Sequence, residues 1–406
     1  MNAKPRGRQF FLNPGPTNIP DRVLRAMDRA VLDFLSDEFM AIHRACHAGV
    51  KRVLKTQQQL YMYAASGHGA WEAALANIFS PGDRVLMLES GYFSDSWTRM
   101  AGHLGLEVEV VSCDWRQGVR IEEIEARLRA DAAHAIKGVL VVHNETATGL
   151  SIPVPEVRRA IDAARHPALL LVDTISSLGC FDFRMDAWGV DIAVGGSQKG
   201  LMLPTGMSFT GVSEKGLAAS AHAKTRRHYW DWKEMGAREP QRFIGTTPVH
   251  LFYALEESLK LLDEEGLDAV FARHRRLADA TRAAVAHWGG DRRSGVKAGA
   301  KGISEGVKAI ELFCADEARL SDSVTAIMLP EGHDADAFRR AALTRFNLSL
   351  GGGLGALGGR VFRIGHMGDL NEPMLLGALA TIELTFTACG VPYQTGGVDA
   401  AIRALA

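Results

Sequence analysis

Between about residue 60 and residue 215, short β-rich apolar runs alternate with amphipathic stretches, and no other feature of the chain restricts its fold as strongly. The runs fall at 84–88, 107–111, 138–142, 168–172 and 191–195. Between them, 121–130 and 155–164 repeat apolar residues every three or four positions, the spacing of a helix with one buried face. Strand and helix in strict alternation predict βα units wound around a mainly parallel sheet, an α/β fold. After Pro248 comes a long helical stretch, broken at Gly266 and ending near Gly289-Gly290, along which a second domain begins. The segment 291–306, rich in glycine and charge, suits an exposed loop, and 325–329 and 360–364 read as strands of a smaller α/β unit.

Charge and cysteine content restrict the function. Lys plus Arg number 46 against 47 Asp plus Glu in 406 residues, so no basic field exists to hold nucleic acid or an anionic membrane, and the partner is a small molecule. The five cysteines, Cys46, Cys113, Cys180, Cys314 and Cys389, form no CxxC pair, which fits a reducing cytoplasm and argues against zinc. The apolar run Phe10-Phe11-Leu12 is too short for a signal-peptide core, and no run reaches transmembrane length.

Three features follow predicted strands, where open α/β sheets gather their ligand-binding groups. Asp173 ends ALLLVD; alone it reads as a helix cap. Lys199, in GGSQKGL, is framed by glycines and apolar residues. Burial there would lower its pKa below the usual value of about 10.4 and let the amine attack an aldehyde. Ser66-Gly67-His68-Gly69 enters a helix as a small-residue turn, whose exposed amides suit a phosphate, although it lacks the P-loop pattern. An aldehyde-reactive lysine, a carboxylate to keep a pyridine nitrogen protonated and a phosphate cradle are together what pyridoxal 5′-phosphate requires.

Longer strings carry a family resemblance. PGPTNIPDRVLRAM (14–27), ASGHGAWEAAL (65–75), HNETATG (143–149), VDTISSLG (172–179), GSQKGLMLPTG (196–206) and FRIGHMGDL (362–370) resemble the serine–glyoxylate and alanine–glyoxylate aminotransferase branch of the class V, fold type I pyridoxal-phosphate enzymes. The resemblance implies a large cofactor-binding domain at 20–268 with a mainly parallel seven-stranded sheet, a smaller α/β domain at 269–406 and an N-terminal arm at 1–19. It implies Lys199 as the Schiff-base lysine, Asp173 as the pyridinium partner, and Ser66, Gly67, His68 and Gln198 as phosphate ligands. Phe93 would stack on the ring, Thr146 would bond its phenolic oxygen, and Thr246 would reach the phosphate of a partner subunit, implying a homodimer with shared sites. Arg363 would clamp the substrate carboxylate, and Asn13 and Phe34 would complete the substrate pocket.

The implied reaction is transamination between an L-amino acid and a small 2-oxo acid, with serine and glyoxylate favoured and no metal required. Close members carry Asp-His-Arg-Ser where this chain has Asp33-Phe34-Leu35-Ser36. The loss of polar groups leaves alanine, aspartate or a less common amine open as donors. Two other readings are a desulfurase, which needs a mobile cysteine that neither Cys314 nor Cys389 resembles, and a non-catalytic binding protein, against which Lys199, Asp173 and Arg363 stand together. Weaker patterns carry less. GLGALG (353–358) leads into a strand rather than a helix and reads as a loop over the site. His43 and His47 read as surface residues, and KTRRHYWDW (224–232) as a subunit contact or lid.

Overall fold

The computed structural model describes residues 6–237, 241–290 and 309–406, so the loop expected at 291–306 lies outside the described residues. In chain order the strands are β1 (Phe10–Leu12), β2 (Gln59–Tyr63), β3 (Arg84–Leu88), β4 (Glu107–Val111), β5 (Ile136–Val142), β6 (Asn144–Glu145), β7 (Leu150–Ser151), β8 (Leu169–Asp173), β9 (Ile192–Gly196), β10 (Ser208–Val212), β11 (Glu311–Leu312), β12 (Val324–Met328), β13 (Leu348–Gly352) and β14 (Val361–Gly365).

Seven of these form the large sheet, in the order β2-β10-β9-β8-β5-β3-β4. β3, β4, β5, β8 and β9 pair in parallel, and β10 runs antiparallel to both β9 and β2. The runs read from sequence are uninterrupted because helices cover both faces of the sheet. Leu169 and Leu171 enter one core while Leu170 and Val172 enter the other, and Leu140 and Val142 part from Val139 and Val141 in the same way. Burying each such side chain stabilises the fold by about 1.5–3 kcal/mol. The chain winds outward in opposite directions from β3 and β5, so a crevice opens at the carboxyl ends of the strands between them.

The helix Asp37–Leu54 starts where the Ser36 hydroxyl accepts from the Phe39 amide at 3.2 Å, with Asp37 and Glu38 in its first turn and Lys51 and Arg52 in its last. Its inner face carries His43, which the sequence placed on the surface. The ring is buried, stacks on Phe252 at 4.9 Å between centroids, and burial lowers its pKa to about 4. Residues 224–232 are likewise no lid: Arg227 donates to the Ala76 carbonyl at 3.0 Å, and Trp232 Nε1 donates to the Tyr63 hydroxyl at 2.6 Å, tying the stretch to the large domain.

The second sheet has the order β1-β13-β14-β12-β11. β1, from the stretch read as an arm, pairs in parallel with β13, Phe10 opposite Leu348, and buries Leu12 in the small core with Phe338, Phe362 and Phe386. The helix Leu267–Trp288 bridges the domains, since Val270 joins the large core and Leu277, Ala284 and Trp288 join the small one. Gly266, at φ +83°, makes the turn into that helix. The 353–358 turn is packed rather than loose: Leu357 sits in a cluster with Trp115, Ala147 and Phe313, and a Cβ on Gly355 would approach Tyr92 to 2.9 Å.

Candidate active site

Five strand ends meet around one cavity of about 200 Å³. β2 delivers Ser66, Gly67 and His68; β3 delivers Phe93; β5 delivers Asn144 and Thr146; β8 ends in Asp173; and β9 leads to Gln198 and Lys199. These include every cofactor-binding candidate except Thr246, drawn together from positions spread over some 130 residues of chain.

Lys199 is buried, and its Nζ donates to the carbonyl of Pro14. Burial, reinforced by the positive field of Arg363, lowers its pKa to about 8, so the neutral amine is accessible near neutrality. Gly15 admits it: a Cβ there would lie 2.1 Å from Nζ. Asp173 closes β8 with one carboxylate oxygen accepting from the Ile175 amide at 2.6 Å. Burial raises its pKa to about 7, and the nearby Glu145 adds to the rise. A cation placed beside that carboxyl would favour its ionised form.

The helix Gly67–Ile78 begins at Ser66 with no side chain capping it, so its first turn presents amides and a positive dipole end to the cavity. Gly67 keeps that turn close to Ile175, since a Cβ would come within 2.3 Å of Cδ1. Also lining the cavity, Gln198 and Asn144 have their side-chain Oε1 and Oδ1 buried without a hydrogen-bond partner among the described residues. Burying such groups unpaired is costly, and since both are acceptors, a ligand that donates hydrogen bonds would satisfy them. The aromatic ring of Phe93 lines the cavity, edge-on to Trp71 at 6.3 Å between centroids.

Arg363 occupies the middle of β14, facing Ala326 and Gly351 on either side. Its Nε donates to the Gly352 carbonyl at 2.7 Å and Nη1 to the Thr146 carbonyl at 2.9 Å, so the guanidinium is fixed from both domains. Burial lowers its pKa to about 10, which leaves it protonated under ordinary conditions. Asn13 Nδ2 donates to Ser349 Oγ at 2.9 Å, and Pro14 packs so tightly on β13 that a Cβ on Gly351 would meet it at 2.6 Å. The 13–16 segment thus roofs Lys199 and abuts the arginine strand.

Two candidates lie elsewhere in the subunit. Phe34 lines a separate cleft with Leu35, Phe39, His43 and Phe243, and Thr246 is exposed beside that cleft. Sequence reading missed several groups that the structure brings to the cavity: Gly15 and Pro16, Trp71, Asn144, Ile175, Ser176 and Thr205. All stand inside the strings quoted above, and for Asn144 and Ser176 a polar type soon after a strand end was the available signal. No cysteine lines the cavity, and burial pushes the Cys314 thiol up to about 11, the reverse of what a nucleophilic sulfur needs.

A doubly wound sheet that collects a buried amine, a carboxyl and an uncapped helix at its strand ends has the architecture of the fold type I pyridoxal-phosphate transferases. The chain belongs to the class V aminotransferase family, whose model, Aminotransferase class-V, matches residues 9–350. It is 45% identical over 403 residues to a serine–glyoxylate aminotransferase of Methylorubrum extorquens, covering 97% of this chain and 95% of that one. It is 43% identical over 391 residues to an L-aspartate–glyoxylate aminotransferase of Paracoccus denitrificans, covering 96% and 94%. Among solved structures, the ureidoglycine–glyoxylate aminotransferase of Bacillus subtilis superposes with a TM-score of 0.86 at 26% identity, covering 98% of each chain. Membership of this family implies pyridoxal 5′-phosphate as the cofactor, and the uncapped helix, Asp173 and Lys199 fit it.

Proposed function

We propose that the protein transfers the amino group of an L-amino acid, serine in the first instance, to glyoxylate. The observation that carries this reading is the meeting of Lys199, Asp173 and the amide-lined start of helix Gly67–Ile78 at one cavity, beside the fixed guanidinium of Arg363. The relatives named for serine–glyoxylate and aspartate–glyoxylate transamination, over nearly the full chain, support the substrate pair.

In this reading the amides of Gly67 and His68, the Ser66 hydroxyl and the Gln198 amide hold the phosphate. Phe93 and Thr146 bound the ring, and Asp173 holds the proton of the ring nitrogen. When bound, pyridoxal 5′-phosphate supplies an aldehyde and a protonated ring that stores the electron pair released at the substrate α-carbon. Arg363 takes the substrate carboxylate with the donors left free by Gly352 and Thr146, a fork suited to two oxygens at once. Neutral Lys199 would then remove the α-proton through Nζ and return it two bonds away, to the carbon across the transferred nitrogen. Exclusion of water by the buried walls keeps that proton transfer between fixed partners.

Thr246, exposed and away from its own cavity, together with Val31 at 65% and Leu35 at 52% exposure, supports a homodimer in which each subunit completes the other's site. Five unpaired cysteines support a reducing, cytoplasmic setting. Replacement of polar groups by Phe34 and Leu35 beside Thr246 favours testing aspartate and alanine alongside serine.

The test is absorbance of the purified protein while serine, alanine and aspartate are titrated without oxo acid. Loss of the visible cofactor band, with gain of the pyridoxamine phosphate band, is the expected result and ranks the donors. A protein that shows no cofactor band even with added pyridoxal phosphate overturns the assignment of Lys199.

A further inference from the structure

One buried acid next to the cavity has no part in the chemistry above. Glu145, at the end of β6, is fully buried but does not line the cavity. Its Oε2 accepts from the amides of Phe93 at 2.9 Å and Ser94 at 3.2 Å, and its Oε1 from the amide of Ala147 at 3.0 Å. The first two amides belong to the opening turn of the helix Tyr92–His103, whose N-cap is Gly91. Glycine brings no capping oxygen of its own, and here its lack of a side chain matters: a Cβ would lie 2.5 Å from Glu145 Cγ. A carboxylate more than fifty residues away therefore caps the helix through the space that Gly91 leaves.

The same residue anchors a hairpin. β6 and β7 pair, and the Gly149 amide donates to the Glu145 carbonyl at 2.9 Å, closing the turn that carries Thr146. Through the Thr146 carbonyl that turn receives Arg363, and Gly149 in turn accepts from the Ser321 amide of the small domain at 2.9 Å. Burial raises the pKa of Glu145 to about 7, and when ionised it favours the charged form of buried Arg363. One side chain thus touches the helix that presents Phe93 and the hairpin that holds Thr146, whose carbonyl in turn receives Arg363.

We propose that Glu145 is a positioning residue that sets Phe93, Thr146 and Arg363 in a single arrangement by capping the Phe93 helix and pinning the 144–151 hairpin. The proposal rests on the reading that Phe93 packs on the cofactor ring and Arg363 binds the substrate carboxylate. It predicts a joint effect on cofactor and substrate that neither a wall residue nor a carboxylate clamp would give alone.

The experiment compares Glu145→Ala, Glu145→Gln and Phe93→Leu in the full-length protein. Hydrogen exchange at the amides of Phe93, Ser94 and Ala147, read without cofactor, should quicken about tenfold or more in Glu145→Ala and stay unchanged in Phe93→Leu. In Glu145→Gln the remaining amide oxygen should keep part of the protection at Phe93 and Ser94, while the amide NH2 turned toward Ala147 loses it there. With cofactor, Glu145→Ala should weaken pyridoxal phosphate binding and raise the amino-acid KM about tenfold or more, with a smaller change in kcat, whereas Phe93→Leu should affect the cofactor alone. Should Glu145→Ala fail to fold, the graded exchange pattern of Glu145→Gln decides in its place. Wild-type exchange at all three amides in a folded variant, or an unchanged KM, overturns the proposal. A wild-type protein that binds no cofactor would sink the functional reading, yet the exchange comparison would still decide whether Glu145 caps the helix.

Discussion

Lys199 with Asp173, at the ends of β9 and β8, and Arg363, in the middle of β14, are all buried ionisable groups, but their surroundings treat charge in opposite ways. The pair on the large sheet is held to the chain by few bonds, Lys199 to the Pro14 carbonyl and Asp173 to the Ile175 amide, and burial moves their pKa values to about 8 and about 7. Both can gain or lose a proton close to neutrality. Arg363 is bound by two carbonyls and remains charged, with a pKa of about 10. The large domain supplies groups poised to change state during a reaction, and the small domain supplies one that must not.

Substitutions on the two sides should therefore fail differently. Replacing Lys199 by Ala should lower kcat by at least about 1,000-fold, with Arg no better, because the proton carrier and the aldehyde-reactive amine are the same atom. Steady-state kinetics with the best donor checks this, and a loss of only a few-fold would break the comparison on the large-domain side. Arg363→Lys should raise the amino-acid KM about 10- to 100-fold while kcat falls less, since a point charge replaces a planar fork. An equal fall in kcat with KM unchanged would show that the guanidinium acts on the reaction rather than on binding.

A smaller effect sharpens the contrast further through pH. Asp173 is raised from 3.8 to about 7, so between those values the folded state holds a proton that the unfolded state has lost, and stability falls as pH rises. Lys199 is lowered from 10.5 to about 8, so between 8 and 10.5 the unfolded state holds the extra proton, and stability rises with pH. Together these two contribute a shallow minimum near pH 7–8, on which Glu145, also raised by burial, and the buried His43, His143, His274 and His366, lowered by it, superpose their own changes. Thermal melts should show Asp173→Asn reducing the Asp173 contribution on the acid side and Lys199→Met that of Lys199 on the alkaline side, with Arg363→Lys, which keeps the positive charge, leaving both in place. Melting curves in which both limbs survive those two changes would assign the pH dependence to other groups.

Much of this layout was legible in the sequence, and the rest was hidden for physical reasons. β5, β8 and β9 announce themselves because burial on both faces demands unbroken apolar runs, GVLVV and ALLLV. β10 reads SFTGV, where Ser208 and Gly211 weaken the strand signal; it is a strand because β9 and β2 flank it. β1 is three residues long and acquires its meaning only beside β13. At the site, Lys199, Asp173 and the Ser66 turn could be found because each follows a readable strand. Asn144 and Glu145 stood in a quoted string without a role, since what they do depends on Ser176, Ser323, Gly91 and Phe93, contacts that no periodicity encodes. The covering of Lys199 by Gly15 was equally invisible, as it joins residues 184 positions apart. Thr246 and Phe34, which the resemblance placed at a shared site, stay outside the cavity of their own subunit.

The parallel pairing of Phe10 with Leu348 also sets the order of events during synthesis. A ribosome adding about 5–20 residues per second must work for a further quarter of a minute to a minute or so after releasing the first strand before its partner exists. Until then the stretch that will cover Lys199 has no template, and the lysine itself is made roughly midway through that wait. The reactive amine is therefore born open, and its lid is one of the last parts of the molecule able to settle.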